Sequence, residues 1–213
     1  MTILPPPLPP LLGEYGHINR YWDKHAKIWV AKILPGEIYI SQNAEEAIAT
    51  TLGSCISACI RDKKKGIGGM NHFMLPENTV TSPSANNYWM GGAARYGCFA
   101  MECLINEILK AGGERKDLEM KVCGGGRILS GISNDVGKKN SEFVLKFAEI
   151  EGISVKSYDL GDIYPRKVIF FPYTGKLFVK RIKHLHNDTI LTRETEYKER
   201  LQFEYQVSTA ELF

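Results

Sequence analysis

In the run TLGSCISACIRDKKKGIGGMNHFMLP, residues 51–76, Cys55 follows the tight pair Gly53-Ser54, and His72 stands on the next apolar segment. A cysteine reacts as its thiolate, and only a few per cent of a free thiol is ionised at neutral pH. A neighbouring imidazole raises that fraction. Once protonated, it can hand its proton to a poor leaving group such as an amine or ammonia. The backbone N–H groups around Gly53, Ser54 and Cys55 are placed to form an oxyanion hole. The chemistry is therefore acyl transfer at an amide or ester carbon. Two plainer readings stand beside it. Free cysteines and lone histidines are often packing residues. Cys55, Cys59 and His72 also suggest a metal site, although strand spacing supplies two thiols and no clear fourth ligand.

These side chains need an element that brings them together. Ile56, Ala58 and Ile60 alternate with Ser57 and Cys59, the period of a strand buried on one face, with Cys55 at its mouth. Residues 62–66 form a polar turn and residues 67–75 run back as a second apolar segment, so a hairpin carries His72 toward Cys55.

Composition agrees with a compact enzyme. The 213 residues are 44% hydrophobic and 24% charged, enough for one sizeable core. The formal charge of +3, with no basic block interleaved with aromatics, argues against a nucleic-acid partner. Lys63, Lys64 and Lys65 read as a solvated turn. Five cysteines without a C-x-x-C pair fit reduced thiols in the cytoplasm better than disulfides or a zinc knuckle, and Cys59, Cys98, Cys103 and Cys123 read as packing residues. The start, TILPPPLPPLLG, lacks a basic leader and carries five prolines, which predicts a flexible polyproline arm over residues 1–13 in place of a signal peptide or membrane span. No membrane insertion is expected.

The longer stretches resemble one family. LGSCISACIRD with GIGGMNHFMLP, INRYWD (18–23), KILPGEIYIS (32–41), ARYGCFAMECLINEILKAGGER (94–115), KVCGGGRIL (121–129), VGKKNSEFV (136–144) and DLGDIYPRKVIFFPYTGKLFVKRI (159–182) occur in the order of the chemotaxis protein CheD, the chemoreceptor glutamine deamidase. The resemblance implies Cys55 as nucleophile and His72 as its partner. It also implies a threonine five or six residues before the cysteine, which is Thr50, with Thr51 as the alternate; its role would be to accept the imidazole N–H. The implied reaction is hydrolysis of specific glutamine side chains on the cytoplasmic helices of methyl-accepting chemotaxis receptors, through a thioester on Cys55, in receptor adaptation. No metal or organic cofactor is implied. A phosphatase of the CheC type is a further implied partner. Cys123 before the glycines and Gly126 after them depart from the usual family pattern of an aromatic and an alanine.

The remaining punctuation gives an α+β chain. Residues 21–33 read as a short helix or an extended lead-in, and 37–41 as a strand. Residues 77–87 read as a loop beside the cleft. Residues 92–111 read as a core helix with Phe99, Cys103, Ile105 and Leu109 on its apolar face, and 118–122 as a strand entering Gly124-Gly125-Gly126. That glycine triplet lacks a phosphate-loop pattern and predicts close backbone packing. Asn140 or Ser141 is expected to cap a helix over 142–151. Strands follow at 154–159, 168–172 and 176–182, with Arg166 in a structural ion pair and a terminal helix over 193–201. The resemblance sharpens the class to a layered α/β/β sandwich like the catalytic fold of deamidating cytotoxins, with the catalytic domain at 14–186 and a C-terminal helix and tail at 187–213. Two other functions fit the same residues: a non-catalytic adaptor binding receptors or a CheC-type phosphatase, and a cysteine peptidase or transglutaminase-like acyl transferase.

Overall fold

The computed structural model describes residues 5–75, 92–127, 136–183 and 189–210. The loop expected over 77–87 lies outside them. Ten strands form two five-stranded sheets. The first sheet is ordered β1 (Asn19–Asp23), β2 (Ile28–Lys32), β4 (Glu46–Leu52), β9 (Arg166–Phe171), β10 (Lys176–Arg181). The second is ordered β3 (Ile38–Ser41), β6 (Ile67–Asn71), β5 (Ile56–Asp62), β7 (Leu118–Gly124), β8 (Ser154–Leu160). Pairing is antiparallel except for β2 with β4 and β7 with β8. Helices α1 (Gly92–Lys110) and α2 (Val136–Ile150) pack on the second sheet. The central strand β5 is buried almost throughout, because helices cover one of its faces and the first sheet covers the other. The result is the expected α/β/β layering.

The hairpin expected around the lysines is present. Asp62 pairs with Ile67 across the turn, and β5 and β6 stay in register through Cys59 and Met70. The same register continues past β6 in an isolated bridge between Ile56 and Phe73. Residues 55 and 72 therefore flank one bridge on the same side of the pair.

Several local readings change. Residues 21–33 hold two strands and a turn, with no helix; the Asp23 carboxylate accepts the N–H groups of His25 and Ala26 and reverses the chain. The aromatic and β-branched residues on either side, Tyr21, Trp22, Trp29 and Val30, suit a sheet better than a helix. The proline arm meets this hairpin at two points: Trp29 Nε1 donates to the Pro6 carbonyl at 3.2 Å and Arg20 to that of Pro9 at 2.6 Å. On α1 the buried stripe is Met101, Leu104, Ile105 and Ile108, whereas Phe99 is 66% exposed. Phe99 precedes Met101 by two positions, which on a 3.6-residue helix is more than half a turn away from that stripe. Helix α2 starts at Val136, so Asn140 and Ser141 lie inside it and neither caps it; Ser141 Oγ donates back to the Gly137 carbonyl. Arg166 does form the expected ion pair, with Asp159 at 2.8 Å, and also donates to the Gly124 carbonyl. The terminal helix α3 (Thr189–Ala210) is longer than its sequence suggested. Among the described residues, no helix is long and apolar enough to cross a membrane.

Candidate active site

The residues that end β4 and precede β5 form a turn held from behind. The carbonyls of three consecutive residues each accept from a fixed donor: Gly53 from Gly126 N at 2.7 Å, Ser54 from Asn140 Nδ2 at 2.8 Å, and Cys55 from Gly125 N at 2.8 Å. With its carbonyl oxygens tied to one side, the backbone must present the N–H groups of Gly53, Ser54 and Cys55 on the other. Successive N–H groups converging in this way make an anion-binding nest. The glycine triplet is what allows the approach. A Cβ on Gly124 would lie 2.1 Å from the Cys55 carbonyl oxygen, and its φ of 123° is one that other residues rarely adopt. Gly124→Ala should therefore cost about 3 kcal/mol or more, from overpacking plus backbone strain. In thermal denaturation that corresponds to roughly 10 °C for a chain of this size. A melting temperature within a degree or two of wild type would contradict the close approach.

Asn140 is the second clamp. Its Nδ2 holds Ser54 and its Oδ1 accepts Leu75 N–H at 2.9 Å, so one fully buried amide joins the Cys55 turn to the segment after His72. Its expected role as a helix cap does not hold, because α2 begins four residues earlier. Only its polarity on the buried face of α2 hinted that it had partners to satisfy.

His72 is placed by backbone bonds on both sides: its N–H donates to the Glu37 carbonyl at 3.0 Å, and its carbonyl accepts Gly36 N–H at 2.7 Å. Its ring meets Thr50, with Thr50 Oγ1 2.8 Å from Nδ1. The tautomer follows from counting protons. The Thr50 hydroxyl donates its single hydrogen to the Ile33 carbonyl at 2.8 Å, so toward the imidazole it can only accept. Nδ1 therefore carries the proton and Nε2 carries the lone pair. Nε2 is buried without a hydrogen-bond partner among the described residues. Sγ of Cys55, a ring nitrogen of His72 and a carboxylate oxygen of Glu194 lie within 4.8 Å of one another.

Strand period separates the two threonines. Thr50 shares the inward face of β4 with Ile48 and Leu52, both in the core, whereas Thr51 points the other way and is only half-buried. Thr50→Val, which keeps the shape and removes the acceptor, should lower turnover by about 10²-fold, while Thr51→Val should leave it nearly unchanged. Equal loss in both variants, at equal stability, would refute the assignment of the imidazole N–H to Thr50.

The sequence did not point to Glu194. This residue of α3 is 2% exposed, and its carboxylate fills the nest. Oε1 accepts from Gly53 N at 2.7 Å and from Cys55 N at 3.2 Å; Oε2 accepts from Ser54 N at 2.8 Å and Ser54 Oγ at 2.7 Å. Nothing in the polar run TRETEYKER marks one glutamate among its neighbours. Cys55, His72 and Glu194 are also a conceivable set of metal donors. Four hydrogen bonds already occupy the two carboxylate oxygens, however, so Glu194 is committed to the nest. Burial, then the adjacent Glu194 carboxylate, pushes the Cys55 thiol well above its ordinary range. Burial alone pushes His72 down to about 3. With α3 in place, burial favours the neutral form of both groups.

Of the other cysteines, Cys59 and Cys123 are buried and Cys98 and Cys103 half-buried, all four as free thiols.

A family model described as CheD chemotactic sensory transduction matches residues 74–181. A protein of Methylobacillus flagellatus named probable chemoreceptor glutamine deamidase CheD is 51% identical over 92% of this chain and 95% of its own length. Proteins of the same name from Halorhodospira halophila and Hahella chejuensis are 48% and 45% identical, covering 89% and 98% of this chain and 87% and 96% of their own. Relatives this similar over nearly their full length, together with the match to the family model, establish that the chain belongs to the CheD family.

Proposed function

We propose that the chain deamidates glutamine side chains of chemotaxis receptors, through a thioester on Cys55. The observation that carries this reading is the alignment of Thr50, His72 and Cys55 beside a nest of three backbone N–H groups. The relatives' name, probable chemoreceptor glutamine deamidase, supplies the substrate class.

The proposed steps use this geometry as follows. Nε2 of His72, held as the lone-pair tautomer by Thr50, takes the Cys55 thiol proton as sulfur attacks the carboxamide carbon. The N–H groups of Gly53, Ser54 and Cys55 receive the oxyanion. The imidazolium gives its proton to the departing nitrogen, ammonia leaves, and a thioester to Cys55 remains. Water then gives a proton to Nε2 and adds to the thioester; the sulfur departs and regains its proton. Glutamine and water have become glutamate and ammonia. The chain's own groups supply every proton and nucleophile in this cycle apart from that water. We assign the catalysis to residues 14–186 and place the reaction in the cytoplasm, on the receptors' cytoplasmic helices.

Adaptation in cells lacking the native protein separates this enzyme from an adaptor that binds receptors or a CheC-type phosphatase. Wild type should restore adaptation and a stably folded Cys55→Ala protein should not. Equal restoration by both would mean that docking, and not thiol chemistry, is the function.

A further inference from the structure

Helix α3 turns one stripe toward the body of the protein: Ile190, Glu194, Tyr197 and Leu201 recur at helical spacing and are buried or half-buried. Three of the four are hydrophobic. The fourth is a carboxylate, which accepts hydrogen bonds from the turn at Gly53, Ser54 and Cys55. A charge in the middle of an apolar stripe is costly to bury unless a site receives it. Here the receiving site is the nest beside the Cys55 thiol. A glutamate side chain is the product of the proposed reaction, and it differs from the substrate by one oxygen in place of NH₂. The remaining space over the imidazole, bounded by Thr50, His72, Ile190 and Glu194, is about 30 Å³. That is room for a water molecule or two, and not for a second side chain. Tyr197 fastens the helix one turn further on, its hydroxyl 2.8 Å from that of Tyr96 on α1 and its ring edge against Gly36.

We propose that α3 is a built-in occupant of the substrate seat: it lies where a receptor helix must lie, presents Glu194 as an internal copy of the product, and has to withdraw before a substrate glutamine can reach Cys55. The inference rests on the deamidase reading. It adds that the seat accepts its residue from a helix, and that the resting enzyme is closed by its own chain. Burial beneath α3 raises the Cys55 thiol and lowers the His72 imidazole, which disfavours proton transfer from one to the other while the helix is in place.

The seat can be tested by giving it a substrate in place of a product. In full-length Glu194→Gln protein, the carboxamide oxygen of residue 194 would accept the N–H groups of Gly53 and Cys55, which holds the carboxamide carbon beside the Cys55 sulfur. Attack there expels ammonia and leaves a thioester, which water converts to glutamate. Peptide mass mapping of the purified variant should find residue 194 as glutamate, or joined to Cys55 with loss of ammonia. The conversion should be independent of protein concentration and absent from Cys55→Ala/Glu194→Gln. If the introduced glutamine stays intact while the same preparation converts receptor glutamines, the seat is overturned and the deamidase stands. If it stays intact and neither this variant nor wild type converts receptor glutamines, both readings are defeated. Tyr197→Ala tests the closure without touching the catalytic groups. Loosening α3 should raise the rate at which iodoacetamide labels Cys55 by about tenfold or more over wild type. An unchanged rate in a folded Tyr197→Ala protein would contradict closure by α3.

Discussion

Cys55→Ala should abolish conversion of receptor glutamine to glutamate, by about 10⁴-fold or more, without unfolding the protein. Removal of a nucleophile that acts jointly with its base leaves only what binding and the oxyanion nest contribute. The fold should tolerate the change for a specific reason. The turn is held by the carbonyl and N–H groups of residues 53–55, none of which belongs to the Cys55 side chain. The thiol is 0% exposed, so alanine leaves a cavity of about one sulfur atom, worth about 1–2 kcal/mol. Circular dichroism and thermal denaturation establish that the fold is intact, and the assay then reads chemistry alone. A folded Cys55→Ala protein with near-normal turnover would end the thioester mechanism.

His72→Ala should be nearly as damaging, with a loss of about 10³-fold or more. In the proposed cycle the imidazole has two duties, taking the thiol proton and delivering it to ammonia, and no neighbouring group can assume both. Glu194 is a carboxylate already satisfied by four hydrogen bonds, and Thr50 has committed its proton to Ile33. Backbone bonds to Gly36 and Glu37 survive the substitution, so the segment should keep its path. The discriminating measurement is the pH dependence of alkylation at Cys55. If the imidazole promotes thiolate formation in the opened enzyme, then in the Tyr197→Ala background the His72→Ala variant should react more slowly at neutral pH and need more alkaline solution to reach the same rate. Identical pH profiles would remove His72 from the role of base.

Much of this site was legible from local pattern. The alternation from Ile56 to Ile60 and the polar turn at 62–66 are short-range signals, and together they determine the hairpin that brings His72 to Cys55. The glycines at 124–126 announced a close backbone approach, but not what approached. The partner, the Cys55 carbonyl, lies on a strand far away in sequence, and only the pairing of β5 with β7 brings it there. Thr50 and Thr51 could be separated only once the inward face of β4 was known, because one residue of register exchanges the two faces. Phe99 misled because its spacing to Cys103 is helical even though the buried stripe lies elsewhere. Asn140 and Glu194 were illegible for a common reason: each serves backbone groups of a distant turn, and such groups leave no side-chain signature in sequence. The polar surface of α3 conceals the buried carboxylate of Glu194 among the exposed ones of Glu196 and Glu199.

The most direct test is to incubate purified protein with cytoplasmic fragments of chemotaxis receptors and map every glutamine by mass spectrometry, in parallel with Cys55→Ala. Particular glutamines on the receptor helices should become glutamate with wild type and with Tyr197→Ala, and none should with Cys55→Ala. Glutamines that stay intact with both Cys55-containing proteins, or that convert equally with Cys55→Ala, would contradict deamidation through Cys55.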